Sequence, residues 1–165
     1  MLFSYDDKKK RSFHQKQVIN EALMEKMHDT IREMRATEMT FHDLSEVEFP
    51  LVDQYTPIPE EYGKGVQMKL SEAQMMGAAK RIEVIYEPGG EMFPHFCKNC
   101  HEIIRVKSGA ITDKMINETY SAGTVFLLKK GVKHHLFSPS GAELITYLVY
   151  SNHYLSYLQE LKKII

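Results

Sequence analysis

The sequence predicts an all-β fold, a single-domain antiparallel β-barrel or sandwich, with an amphipathic helix ahead of it. Three observations lead to this prediction. The 165 residues are 43% hydrophobic and 26% charged, a size and mixture typical of one globular domain with a buried core. Prolines, glycines and short β-type runs dominate from Thr40 onward, whereas apolar residues recur at helical spacing before it. We therefore divide the chain into a helical extension at 1–39 and a barrel at 40–165.

The first predicted element is a helix that begins near Ser12 and ends near Arg35. Ser12 lies three residues before Gln15, which is the spacing of a capping box. Apolar residues then recur every three or four positions, at Ile19, Leu23, Met27, Ile31 and Met34. This stripe is typical of an amphipathic helix, and we expect it to be a packing face that supports the barrel. The first 11 residues are expected to form a solvated, frayed terminus.

Six short runs of β-type residues follow the helix. They lie at 66–70, 81–86, 102–106, 124–128, 135–138 and 144–150. Turns that contain glycine separate them, and many short strands at regular spacing favour an antiparallel barrel or sandwich. After Asn152, leucines at every third position predict a short closing helix.

The charge balance and the apolar runs exclude two classes of partner. Twenty-one basic and 22 acidic residues give a net charge of −1, so no overall field attracts nucleic acid or anionic lipid. The apolar runs fall far short of the roughly 20 residues that span a bilayer. The N-terminal residues do not resemble a secretory signal, so we expect a cytoplasmic protein.

Cysteine and histidine are concentrated in two short stretches. Both cysteines, Cys97 and Cys100, lie within 95–101 together with two of the eight histidines, and His134 and His135 form a pair downstream. Clustering of these residue types indicates a metal site.

The first stretch belongs to a longer pattern of glycine, histidine and glutamate. It runs from Gly89 through five residues to His95, one residue to Cys97, four residues to Glu102 and six residues to Gly109.

The second stretch belongs to a similar pattern. It runs from Gly123 through five residues to Lys129, one residue to Gly131, two residues to His134 and three residues to Ser138. Together the two patterns resemble the two motifs of the cupin family, which read G-x5-H-x-H-x(3–4)-E-x6-G and G-x5-P-x-G-x2-H-x3-N. The segment between them has 13 residues, and the resemblance covers 81–150.

Three positions depart from the family motifs. Cys97 stands where the family has its second histidine, Lys129 where it has proline, and Ser138 where it has asparagine. These departures weaken any transfer of catalytic function more than they weaken transfer of the fold.

The resemblance implies a cupin barrel, also called a double-stranded β-helix jelly roll, with its motif core at 81–150. It implies one divalent transition metal ion, such as iron, manganese, zinc, nickel or copper, held at His95, Cys97, Glu102 and His134. Within the family, such sites serve dioxygenases, isomerases and lyases, and many members are homodimers. We therefore expect a metal-binding, homodimeric cupin that binds or acts on a small organic molecule. The alternatives are a non-catalytic ligand sensor and a barrel with a structural zinc site.

The spacing of the motif residues is itself compatible with a shared ion. Residues 95 and 97 lie two apart, so on a strand both side chains leave the same face. If Cys97 is a ligand, its thiolate favours zinc. If it is not, His95, Glu102 and His134 form the two-histidine, one-carboxylate set that suits non-haem Fe(II). The third possibility is a buried, inert cysteine.

The segment 97–101 reads C-x-x-C-H and so has other interpretations. It matches the haem-attachment pattern of c-type cytochromes, which requires export, and a closed zinc site could use Cys97, Cys100, His101 and a second histidine. For Cys100 and His101, we favour simple exposed positions on the turn between His95 and Glu102. We expect His135 to point away from His134, on the opposite face of the strand.

Overall fold

The computed structural model describes residues 5–70 and 79–150, which form one helix and eight strands. The helix α1 spans Tyr5–Ser45. The strands are β1 Thr56–Pro57, β2 Gly63–Leu70, β3 Ala79–Met92, β4 His101–Asp113, β5 Glu118–Ser121, β6 Val125–Leu128, β7 Leu136–Ser138 and β8 Ala142–Val149. The prediction of an all-β barrel with an N-terminal helix is confirmed.

The strands close into an antiparallel barrel because two of them each pair with the same two long neighbours. Strand β8 pairs with β3 on one side and with β4 on the other, and β7 also lies between β3 and β4. Strands β1 and β2 extend the β3 side, whereas β5 and β6 pair with β4. The barrel therefore has one interior, and alternate residues of β3, β4 and β8 point into it.

Two apolar clusters lie on the two faces of this sheet. The cluster inside the barrel consists of Val66, Ile82, Val84, Tyr86, Ile104, Val106, Ile111, Phe126, Leu128, Leu136, Ala142 and Leu144. The other cluster lies beneath the end of α1 and consists of Ala36, Phe41, Phe49, Ala79, Ile103, Tyr147 and Val149. Consecutive residues of β4 show the alternation, since Ile103 joins the helix-side cluster and Ile104 the barrel cluster.

The helix is longer at both ends than the sequence predicted. It begins at Tyr5 instead of near Ser12 and continues to Ser45 instead of ending near Arg35. Tertiary packing explains the C-terminal extension, because Ala36 and Phe41 are buried against the sheet and the Phe41 ring meets that of Tyr147 at 5.1 Å. Helix propensity alone gives a weak signal there, and packing overrides it.

The apolar stripe on α1 does not pack against the barrel, contrary to the prediction. Leu23, Met27, Ile31 and Met34 are between 42% and 62% exposed in the single chain. The buried residues that attach the helix to the barrel lie after the stripe, at 36–41. A regular apolar spacing identifies a helix face but not what covers it.

Four of the six predicted runs correspond to β2, β6, β7 and β8 within two residues at each end, apart from the longer start of β2. Strands β3 and β4 are longer than predicted, and the short strands β1 and β5 were not predicted. The predicted closing helix after Asn152 lies outside the described residues. The domain boundary at 39/40 stays a prediction. In the described part of the chain, no helix is long and apolar enough to cross a membrane.

Candidate functional site

A two-residue bridge brings His95 and His134 together. The two residues exchange both backbone hydrogen bonds, with His95 N donating to His134 O at 3.0 Å and His134 N donating to His95 O at 2.9 Å. Directly opposed residues in an antiparallel pair place their side chains on the same face. The imidazole rings accordingly meet edge to face, and their Nε2 atoms lie 3.0 Å apart.

Strand β4 supplies the third side chain. Glu102 lies two residues before Ile104, so strand alternation points it into the barrel, and its Oε2 is 3.2 Å from His134 Nε2. The side chains of His134 and Glu102 are only 3% and 17% exposed. Three of the four predicted site residues are thus brought together, in a row with His134 at its centre.

Backbone carbonyls determine the tautomers of the two rings. His95 Nδ1 lies 2.7 Å from Phe93 O, and His134 Nδ1 lies 3.3 Å from Val132 O. A carbonyl oxygen only accepts hydrogen bonds, so each Nδ1 carries a proton and donates it. In the neutral rings both Nε2 atoms therefore lack a proton, and the two atoms lie 3.0 Å apart.

The side chains of His134 and Glu102 lie at the distance of an ion pair, but both of them are neutral between about pH 4 and pH 7. Burial, together with the charge of His95, lowers the pKa of His134 to about 4. Burial also raises the pKa of Glu102 to about 7. Between these two values a neutral imidazole meets a protonated carboxyl group, so we describe the contact as a hydrogen bond donated by Glu102. Both shifts have the same cause, a low-dielectric site that opposes isolated charge.

The three side chains line a small cavity inside the barrel. Its volume is about 40 Å³, which is space for an ion and about one water molecule and far below an ordinary ligand pocket. The other lining residues are mostly apolar: Met68, Ile82, Val84, Tyr86, Met92, Ile104, Leu136, Leu144 and Thr146.

Tyr86 is a lining residue that the sequence analysis missed. It is buried, and both burial and the charge of Glu102 raise the pKa of its phenol. Strand alternation places it on the same face as Ile82 and Val84, and that signal could have predicted its inward orientation.

The sequence matches no protein-family model and no curated protein. Solved structures match the barrel. KdgF from Halomonas sp. is 14% identical over 64% of this chain and 96% of its own, with a TM-score of 0.53. An acetylacetone dioxygenase from Acinetobacter johnsonii is 15% identical over 63% of this chain and 74% of its own, with a TM-score of 0.54. A predicted oxalate decarboxylase from Thermotoga maritima is 19% identical over 63% and 95%, with a TM-score of 0.51.

This chain has the cupin fold. At these identities the likeness concerns the fold, and the activities of the three neighbours remain theirs. The resemblance of the two sequence motifs to cupin motifs is thus confirmed at the level of structure.

Cys97, the residue at the second histidine position of the cupin motif, is not a free thiol. Its sulfur is bonded to that of Cys100 in a disulfide. A ligating cysteine must be a thiolate, which Cys97 lacks in the disulfide, and its predicted role as a metal ligand stays a prediction. The same bond removes both cysteines from the alternative closed zinc site.

The expectation that Cys100 and His101 are exposed on a turn is wrong. Cys100 is 1% exposed and His101 is buried at the start of β4. The Nδ1 atom of His101 accepts a hydrogen bond from the backbone N–H of Lys130 at 3.0 Å, which fixes this loop to the one before His134. The sequence analysis missed this contact because nothing in local spacing relates residues 101 and 130.

The other two departures from the cupin motifs have structural roles. Lys129 Nζ lies 3.1 Å from Glu33 Oε1 and so connects the barrel to α1. Ser138 is fully buried and its hydroxyl donates to Ala110 O at 2.7 Å. His135, as predicted, does not share the His134 environment; its Nε2 lies 2.8 Å from Glu91 Oε2.

Across residues 5–70 and 79–150, no group of three or more His, Cys, Asp or Glu side chains is arranged so that it could hold a metal ion. The measured contacts join His95 to His134 and His134 to Glu102. The predicted metal site therefore stays a prediction, and its support comes from the tautomers of the two rings.

Proposed function

We propose that the protein binds one divalent transition metal ion with His95, Glu102 and His134, and that it acts on a small organic molecule with oxygen donor atoms. The observation that carries this proposal is the 3.0 Å distance between the Nε2 atoms of His95 and His134. The Nδ1 proton of each ring is donated to a backbone carbonyl, so neither Nε2 atom carries a proton in the neutral rings. Metal-binding histidines are oriented in this way by their second nitrogen. Two unprotonated nitrogen atoms at this distance repel each other unless a cation lies between them.

The spacing of the donor atoms also fits this role. Ligands about 2.1 Å from one ion lie roughly 3 Å apart when they occupy adjacent positions around it. The Nε2 atom of His134 lies 3.0 Å from His95 Nε2 and 3.2 Å from Glu102 Oε2. A two-histidine, one-carboxylate set favours Fe(II) among the metals implied by the fold.

A bound ion of this kind supplies Lewis-acid polarisation of a substrate oxygen, or oxygen activation if it is iron. The protein contributes the apolar lining, which excludes water and strengthens electrostatic interactions at the site. Tyr86 contributes a phenol that stays protonated at neutral pH and can donate a hydrogen bond.

The volume of the cavity restricts the ligand. About 40 Å³ admits only a few heavy atoms, so a larger molecule requires lining side chains to move. Met68 and Met92 are partly buried members of the lining with flexible side chains, and we assign this adjustment to them. Two structural neighbours, an acetylacetone dioxygenase and a predicted oxalate decarboxylase, are named for small oxygen-rich molecules, which supports a substrate of this class. The cytoplasmic location expected from the sequence stays a prediction.

Elemental analysis of the full chain, purified without an affinity tag, tests the proposal. We expect about one transition metal ion per chain, and we expect His134→Ala to lose it. The matched control is His135→Gln, which changes the adjacent histidine, whose ring contacts Glu91 instead of the cavity group. Full metal occupancy in His134→Ala contradicts the assignment, as does a wild-type chain that takes up no metal after incubation with Fe(II), Mn(II) or Zn(II).

The relaxation of water protons by the Mn(II)-loaded chain distinguishes a catalytic site from a structural one. Three protein ligands leave positions for exchangeable water, so we expect enhanced relaxation that a small oxygen-donor ligand reduces. A closed structural site excludes water from the ion and gives no enhancement. A sensor that binds ligand without turnover gives the enhancement but no product.

A further inference from the structure

We propose that Cys97 and Cys100 are a reducible pair that exchanges with dithiols, and that reduction makes the sulfur of Cys97 available as a fourth ligand beside His95, Glu102 and His134. The second half of this proposal rests on the proposed metal site. The first half, dithiol exchange, stands on the disulfide alone.

The two sulfur atoms differ in accessibility. Cys97 is partly exposed, whereas Cys100 is 1% exposed. An external thiolate can therefore reach Cys97, and Cys100 leaves as the buried thiol. The two residues between them, Lys98 and Asn99, are exposed, so the disulfide lies in a surface loop that a dithiol partner can approach.

The exchange transfers two electrons from the dithiol to the protein. One thiolate of the dithiol attacks Cys97 Sγ; the Cys97–Cys100 bond breaks, and the electron pair stays on Cys100, which takes a proton. The second thiolate of the dithiol then attacks its own sulfur in the mixed disulfide and releases Cys97 with the electron pair. The dithiol becomes a disulfide, and the protein gains two thiols.

The backbone fixes Cys97 beside the candidate site whether or not the disulfide is present. Gly131 N donates to Cys97 O at 2.9 Å, two residues after His95 on one side of the bridge and three residues before His134 on the other. Phe96 is 52% exposed, whereas His95 and Cys97 on either side of it are partly buried. These contacts are made by backbone atoms, and reduction of the sulfur atoms does not remove them.

The oxidation state then determines which donors the site offers. With the disulfide formed, Cys97 has no thiolate and the donors are two nitrogens and one carboxylate. After reduction, a thiolate two residues from His95 adds a soft ligand, which favours zinc over iron. The metal affinity of the site therefore depends on the dithiol–disulfide balance around the protein.

The test is Co(II) binding to the full chain, followed by the thiolate-to-cobalt charge-transfer band in the near ultraviolet. The chain is compared in its oxidised form and after treatment with dithiothreitol, which is removed without air before Co(II) is added. We expect reduction to release two thiols per chain under native conditions, to produce the band, and to tighten Co(II) binding at least tenfold. Far-ultraviolet circular dichroism confirms that each form is folded.

Two matched variants separate the roles of the cysteines. Cys100→Ser leaves Cys97 permanently free, so we expect the band and tight binding without reductant. Cys97→Ser removes the proposed ligand, so we expect neither the band nor any response to dithiothreitol. A band in reduced Cys97→Ser, or its absence from both reduced wild type and Cys100→Ser while Co(II) still binds, overturns this inference and leaves the proposed function standing.

Two other outcomes are equally decisive. If no form of the chain binds Co(II), the proposed metal site fails, whereas the thiol count still judges the exchange reaction. If dithiothreitol releases thiols only after the chain is unfolded, the exchange reaction is wrong, whatever the metal does.

Discussion

The Nε2 atoms of His95 and His134 face each other at 3.0 Å, while the Nδ1 atom of each ring contacts the carbonyl of the residue two positions earlier. This arrangement fixes both rings with their lone pairs directed into the barrel. Glu102 adds a buried carboxyl group on one side of His134. The cost of burying these groups without a cation makes the stability of the metal-free chain sensitive to pH.

We expect Glu102→Gln to stabilise the metal-free protein at alkaline pH. Burial raises the pKa of Glu102 to about 7 from its ordinary 4.5, so the folded state holds this proton more tightly than the unfolded state. That contribution to stability is complete below about pH 4.5 and is lost as the pH rises through 7. Glutamine has no carboxyl group to titrate, so the stability of the variant lacks this dependence on pH. Chemical denaturation at pH 8 should favour the variant by on the order of 2–3 kcal/mol, and the difference should shrink toward pH 4.5.

The control for this experiment is Glu143→Gln, which changes an exposed glutamate on β8. It should alter the free energy of unfolding by less than about 0.5 kcal/mol at either pH. The same Glu102→Gln variant should bind metal more weakly than the wild type, because a carboxylate ligand is lost. The wild type and Glu102→Gln are compared free of metal. Equal free energies of unfolding at pH 8 would falsify the view that Glu102 is buried and has a raised pKa.

Glu91 should show the opposite pH dependence. The hydrogen bond with His135 is the main cause that lowers the pKa of Glu91; Lys64 and Lys114 lower it further, and burial partly opposes them. A lowered pKa gives stability that is present above the ordinary value and is lost as the pH falls through the folded value. We therefore expect Glu91→Gln to destabilise the chain by about 1 kcal/mol at pH 7. This difference should disappear in acid.

Exposed Glu87, four residues earlier on β3, provides the control for Glu91. Glu87→Gln should leave the denaturation midpoint at pH 7 within experimental error of the wild type. If Glu91→Gln were destabilising by the same amount in acid as at pH 7, a loss of packing would explain the effect better than the ion pairs.

Two motif glycines should differ in their tolerance of alanine. Gly109 has φ +74°, and a Cβ there would collide with the carbonyl oxygen of Gly141 across the β4–β8 pair. Gly89 has φ +77° but open space around the same position. Gly89→Ala should therefore cost about 1 kcal/mol of backbone strain, whereas Gly109→Ala should cost clearly more because the strands must separate. Thermal unfolding of the two variants provides the comparison; equal losses would mean that β8 moves away freely.

The sequence motifs predicted the barrel fold, and they singled out three side chains that line one cavity, those of His95, Glu102 and His134. The disulfide between Cys97 and Cys100 could not be inferred, since C-x-x-C spacing is equally compatible with thiols, zinc or haem. The hydrogen bond from Lys130 to His101 and the extension of α1 to Ser45 depend on tertiary contacts, which local patterns do not contain.

The apolar stripe of α1 illustrates the same limit. Spacing correctly predicted a helical face at Leu23, Met27, Ile31 and Met34, but these side chains are exposed in a single chain. An apolar face of this kind in water commonly marks an interface. The homodimer expected from the sequence stays a prediction, and this face is its candidate interface.

We expect the double substitution of Met27 and Ile31 by lysine to convert a wild-type dimer into a folded monomer. Both side chains are exposed in the single chain, so the barrel should keep its unfolding temperature at low protein concentration.

Phe41→Ala should lower the stability of each chain and leave the dimer contact in place. The expected loss is about 3 kcal/mol, because Phe41 is buried against Tyr147. Sedimentation velocity measures the mass of each form, and Met115→Lys, an exposed change outside α1, should leave a dimer intact. A monomeric wild type, or a double variant that stays dimeric, would show that this face of α1 does not join two copies.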